Sequence, residues 1–111
     1  MTIKEYQSLA MRTVNSELSK KDMLLNSVMG LCGESGEAID IVKKWHAHGH
    51  ELDKERFAKE LGDIAWYLAE AAEAIDMDLE DIMVANIEKL KKRYPEGFST
   101  EASIKRVDVE K

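Results

Sequence analysis

Two acidic pairs in this 111-residue chain have the spacing that cation chemistry needs. Glu34 and Glu37 lie three residues apart within Gly33-Glu34-Ser35-Gly36-Glu37, and Glu60 and Asp63 do the same within Glu60-Leu61-Gly62-Asp63. On a helix, residues i and i+3 share one face. Each pair would therefore present two carboxylates in one direction. Four carboxylates converging between two helices would form an all-oxygen site, which suits Mg²⁺ or Mn²⁺ far better than a soft metal. Clustered like charges also raise one another's pKa, a penalty that a bound cation removes. The competing reading of either pair is a solvated helix face with i,i+4 salt bridges.

The elements that must position these pairs are helical. Charged residues make up 34% of the chain and proline occurs once, which favours an all-helical reading. Thr2-Ile3-Lys4-Glu5 has capping-box spacing, so a first helix starts at once, with Ile3, Tyr6, Ala10 and Val14 on its apolar side. A second helix begins near Ser19 or Asp22 and runs to about His48, with Gly49 as its C′ residue. Asp53 is the expected N-cap of a third helix reaching about Asp76. A fourth covers roughly Leu79 to Arg93 and stops ahead of Pro95. The expected architecture is all-α: an antiparallel four-helix bundle in one domain over residues 1–98, followed by a polar C-terminal tail over 99–111. The second half of the third helix, from Ile64 to Ala72, is apolar around more of its circumference than one core face requires. That suggests burial on two sides and assembly into a homo-oligomer, a homodimer or homotetramer. Alanine chosen for helix propensity alone is the alternative.

A helix turns about 100° per residue, which places the acids relative to the expected core. Leu24, Val28, Leu31 and Val42 form the stripe on the second helix, with Glu34 at its edge, Glu37 farther out and Lys44 near Glu37. Phe57, Leu61, Ile64, Leu68 and Ile75 form the stripe on the third, with Glu60 at its edge, Asp63 farther out and Tyr67 between them. Antiparallel packing through the stripes would turn both acidic pairs toward a shared cleft at the rim of the core. Gly33, Gly36 and Gly62 each cost helix stability, so they imply close approach of a ligand or a backbone, or tight helix packing. On the fourth helix, Asn86 lies amid Leu79, Ile82, Met83 and Leu90. A buried amide needs partners, either a nucleotide's sugar or base or a core hydrogen-bond network. Lys44, Lys89 and Arg93 are candidate phosphate partners.

Other signals are weaker. His46, His48 and His50 fit favourable charge at a helix C-terminus better than a metal tract. Trp45 and Trp66 read as core or interface residues, and Cys32 as a small buried hydrophobe. One cysteine forms no intrachain disulfide, and no run resembles a signal peptide or a membrane span, so a cytoplasmic protein is expected. A net charge of -6 argues against a nucleic-acid polymer as partner but not against a nucleotide bridged by a divalent ion.

At these residues the sequence resembles the MazG-like nucleoside triphosphate pyrophosphohydrolases, whose pattern is Glu-Glu-x-x-Glu, a spacer, then Glu-x-x-Asp. The resemblance runs through Gly33 to Glu37 and Glu60 to Asp63, continues in Ile64-Ala65-Trp66-Tyr67-Leu68, and returns from Ala85 to Pro95. Gly33 stands where the family pattern has its first glutamate. The resemblance implies a Mg²⁺-dependent enzyme, with Mn²⁺ as an alternative ion, that cleaves the α–β phosphate bond of a (d)NTP to give (d)NMP and pyrophosphate. It implies that Glu34, Glu37, Glu60 and Asp63 hold the metal and supply catalysis, with Glu34 or Glu37 as general base. Tyr67, Asn86, Lys44, Lys89 and Arg93 are then the candidate substrate contacts, and nucleotide-pool house-cleaning the implied role. A ferritin-like di-metal oxidase is the rival enzyme, but its Glu-x-x-His motif is absent from this sequence. The other rivals are a non-catalytic helical dimerisation module and a regulator that binds nucleotides without cleaving them.

Overall fold

A computed structural model describes residues 1–109. The order of elements is α1 (Ile3–Ala10), a 3₁₀ turn (Met11–Thr13), α2 (Lys20–Ala47), α3 (Lys54–Ala74), α4 (Leu79–Arg93) and α5 (Thr100–Lys105). The described residues contain no strand, only an isolated bridge between Pro95 and Gly97. The all-α reading and its four principal helices stand, and a short fifth helix lies beyond them.

The helix ends follow from local chemistry. Thr2, Ser19, Asp53 and Ser99 have non-helical backbones, and each accepts an N–H from three residues on. Gly49, at φ +72°, lets the chain leave α2, and the His50 N–H reaches back to the Lys44 carbonyl at 3.0 Å. α3 ends in a Schellman turn. Asp76 takes the left-handed position at φ 59°, and the Met77 N–H returns to the Ala72 carbonyl at 3.0 Å.

The chain divides into two compact units, Met1–Leu79 and Glu80–Lys111. In the first, α2 and α3 form an antiparallel hairpin. Asn26 pairs with Glu70 near one end and Glu37 meets Glu60 toward the other. α1 runs antiparallel along α3, with Gln7 bonded to Glu73 and the Ala10 carbonyl to Trp66. Buried Gln7 also donates to the Met77 carbonyl and accepts the Leu79 N–H, tying down the turn that leaves α3.

The face that closes the hairpin differs from the expected one. Its buried residues are small or polar: Ser27 and Ala38 on α2, Ala69, Glu70, Ala72 and Ala74 on α3, with Met23 and Ile41 as the larger apolar members. Leu24, Val28, Leu61, Leu68 and Ile75, expected in the core, are 40–50% exposed. The stripes therefore do not join the two helices within one chain. Small side chains allow close helix approach, and one polar pair in the seam is mutually satisfied. Asn26 Nδ2 donates to both oxygens of the fully buried Glu70, at 3.0 and 3.1 Å. Cys32 is also exposed rather than buried, on an outward side of α2 with Leu25 and Met29.

In the second unit, Arg93 forks onto Asp108 through Nε at 2.6 Å and Nη2 at 2.7 Å. The guanidinium holds the nearly buried Asp108 carboxyl down to about 2. The Tyr94 and Phe98 rings meet at 5.4 Å. On α4, Met83, Val84, Asn86 and Ile87 are exposed, so Asn86 is not sealed inside a core hydrogen-bond network.

Candidate metal centre

Four rungs cross the α2–α3 seam in register. Asn26 faces Glu70, Gly30 faces Tyr67, Glu34 shares a cavity with Asp63, and Glu37 meets Glu60. The spacing of Asn26, Gly30, Glu34 and Glu37 on α2 is one helical face, as is that of Glu60, Asp63, Tyr67 and Glu70 on α3. Antiparallel pairing sets these two faces against each other.

At the acidic rungs, one oxygen each from Glu34, Glu37 and Glu60 lies within 4.8 Å of the others. Glu60 is only 8% exposed, and its Oε2 is buried without a hydrogen-bond partner among the described residues. An orphaned buried carboxylate oxygen is costly and needs a counter-charge. The Glu60 carboxyl is pushed above its ordinary value, first by its contact with Glu34, then by burial and the charges of Glu34 and Asp63. Three converging carboxylates with one orphaned oxygen fit a hard divalent cation.

Asp63 stands beside this triad rather than in it. With Glu34, Trp66 and Tyr67 it lines a cavity of about 320 Å³. Tyr6 of α1 is held above the usual phenol range by burial and then by Asp63, so α1 approaches the site. Lys44 is engaged one turn back on α2, bonded to Asp40 at 2.9 Å. Asn86 and Lys89 are exposed residues of the second unit, and Arg93 is committed to Asp108.

Gly33, Gly36 and Gly62 do not serve packing within the chain. A Cβ at Gly33, Gly36 or Gly62 would meet nothing within 4 Å, so neither a neighbouring backbone nor tight packing within the chain requires them. A Cβ at Gly30, in contrast, would overlap the Tyr67 ring. Gly30 and Trp66 are the residues that sequence reasoning missed. Gly30 lies one turn before Glu34, a position that could have marked it; nothing in the sequence shows that the Trp66 Nε1 would reach the Ala10 carbonyl at 3.1 Å and Thr13 Oγ1 at 2.9 Å.

Fold and site together define an all-α protein in which three carboxylates converge across a helical hairpin, a set that could hold a metal ion. Residues 23–98 match the MazG nucleotide pyrophosphohydrolase domain, and the chain belongs to that family. All four acids of the two pairs fall inside the match. The Gene 37 protein of Mycobacterium phage L5 is 34% identical over 73 residues, covering 62% of this chain and 64% of the phage protein. The similarity therefore spans less than two thirds of that relative. No solved structure matches the chain. No helix among the described residues is long and apolar enough to cross a membrane.

Proposed function

We propose that this protein is a Mg²⁺-dependent nucleoside triphosphate pyrophosphohydrolase that cleaves the α–β phosphate bond of a (d)NTP. The observation that carries the reading is the Glu34–Glu37–Glu60 cluster with its orphaned Glu60 oxygen, lying inside the matched family domain. Glu34, Glu37 and Glu60 hold the cation, with Asp63 completing the set from the adjoining cavity. When bound, Mg²⁺ would neutralise the triphosphate and lower the pKa of water. Mn²⁺ has the same preference for oxygen ligands.

The chain's own groups supply the rest. Glu34 or Glu37 takes the proton of the attacking water, because Glu60 is the buried member of the triad. Water adds across the α–β anhydride and pyrophosphate leaves with the bridging oxygen. Tyr67 and the cavity beside Asp63 receive the nucleoside end. Lys44, on the same helix as Glu34 and Glu37, is a further candidate contact for the phosphates. The half-exposed stripes on α2 and α3 are covered in a homodimer or homotetramer. The enzyme works in the cytoplasm on the nucleotide pool, removing unwanted triphosphates.

Incubation with a panel of (d)NTPs and Mg²⁺ tests this directly. Pyrophosphate and (d)NMP are the expected products; orthophosphate with a diphosphate would sink the α–β assignment. Gly33, in place of the family's first glutamate, favours a second reading, a regulator that binds nucleotides without cleaving them. Tight nucleotide binding without any product would select it.

A further inference from the structure

Tyr67 is held from two sides. On one side lies Gly30 of α2, where even a methyl group would overlap the ring at Cε1, Cζ and Cδ1. On the other side stands Trp66, whose ring meets Tyr67 edge-on at 5.1 Å and 90°. Trp66 is itself locked by its two hydrogen bonds to Ala10 and Thr13. These contacts hold the ring in the orientation that the structure shows. That orientation makes it a wall of the cavity shared with Glu34 and Asp63, one rung from the acidic triad.

The contrast with the other α2 and α3 glycines is informative. Gly33, Gly36 and Gly62 have open space where a side chain would go, so their neighbours would tolerate alanine. Gly30 alone among them has the Tyr67 ring in that space. Its helix-weakening cost is offset by letting the ring lie against the α2 backbone. Were the ring displaced, it would swing toward the Glu34–Asp63 cavity or out to solvent, and the cavity wall would be lost either way.

We propose that Gly30 is a positioning residue: with Trp66 it clamps the Tyr67 ring as the fixed wall against which the nucleoside part of the substrate is seated. This rests on the pyrophosphohydrolase reading of the site and adds what sets the shape of its nucleoside subsite. Gly30 belongs neither to the acidic triad nor to the lining of the Glu34–Asp63 cavity. Its effect is transmitted through Tyr67, so it belongs to substrate affinity and selectivity rather than to cation binding.

A double-mutant cycle on Gly30 and Tyr67 tests the clamp. Affinity for a non-hydrolysable α,β-imido (d)NTP and for Mn²⁺ alone is measured on the full chain, wild type and variants. Gly30→Ala should weaken the nucleotide analogue about tenfold or more, raise KM more than it lowers kcat, and leave Mn²⁺ affinity unchanged. On a Tyr67→Ala background the same substitution should cost nothing further, because the ring is gone. Gly30→Ala with Tyr67→Phe should keep the full penalty. Should Gly30→Ala alone fail to fold, the Gly30→Ala/Tyr67→Ala double variant must fold again. The clamp is overturned if Gly30→Ala binds the analogue like wild type, if its penalty persists undiminished without the Tyr67 ring, or if Mn²⁺ affinity falls in parallel. Failure of the underlying reading looks different: wild type itself would bind no nucleotide, and the clamp's role in seating a nucleoside would fall with it.

Discussion

Glu60 is the residue on which the proposed chemistry turns. Its Oε2 is buried without a partner among the described residues, and its carboxyl is pushed up by Glu34, by burial and by Asp63. A raised carboxyl pKa means that the folded state holds a proton where the unfolded state has lost it. Stability of the metal-free protein therefore falls as pH rises from the ordinary carboxylate value through the raised one. Cation binding runs the other way, weakening as pH drops through that window because the proton competes. Glu60→Gln keeps the shape and removes the charge. It should be no less stable than metal-free wild type at neutral pH, yet lower the proposed activity by about 100-fold. Thermal unfolding with and without Mg²⁺ checks the claim. Wild type should gain about 2.7 kcal/mol when Mg²⁺ stands at 100 times its Kd, and the variant should gain almost none. An equal Mg²⁺ shift in both would remove Glu60 from the site.

At the scale of the element, α2 and α3 show what glycine does in two settings. Gly36 faces open space in the middle of a 28-residue helix, so it carries glycine's helix cost with no contact in return. Gly36→Ala should stabilise the metal-free protein by about 1 kcal/mol, read as a higher urea midpoint with unchanged slope. A lower midpoint would mean that α2 needs that glycine for a contact within the chain. Gly30 has the opposite sign for the same substitution, because its space is filled by Tyr67. Helix ends were legible from local residues. Ser19 and Asp53 cap α2 and α3 where expected, Gly49 takes the positive φ that ends α2, and α4 stops two residues before Pro95. Caps and turns depend on three or four neighbours in sequence, which is why they can be read without a fold.

For the whole molecule, the informative quantity is apolar surface left outside. Phe57, Leu61, Ile64, Leu68, Ala71 and Ile75 recur at alternate steps of four and three, the spacing of a helix–helix seam. Leu61, Leu68 and Ile75 are 50%, 40% and 48% exposed, and Leu24 and Val28 on α2 are 40% and 48% exposed. A second copy of the chain would cover such a surface. Light scattering should give a mass that is a multiple of 12.6 kDa, and Leu61→Lys with Leu68→Lys should reduce it. A wild-type mass of 12.6 kDa would remove the oligomer from the proposal. The net charge of -6 disfavours non-specific attraction of a polyanion to the surface.

By itself the sequence determined the four principal helices, the caps that start the first three of them and the fact that each acidic pair shares a face, because these depend on propensity, capping and a 3.6-residue turn. It also carried the family resemblance, and the matched domain spans Glu34, Glu37, Glu60 and Asp63. Only the tertiary structure decided which faces meet. Hydrophobicity marks a stripe that avoids water but not the partner that covers it, so Leu24, Val28, Leu61 and Leu68 read as core when the hairpin closes through Ser27, Gly30, Ala69 and Glu70. That choice of face buries Glu60, seats Tyr67 on Gly30 and leaves Cys32 exposed. It also brings Glu34 and Glu37 of one acidic pair together with Glu60 of the other, since convergence belongs to the register between helices rather than to either helix alone.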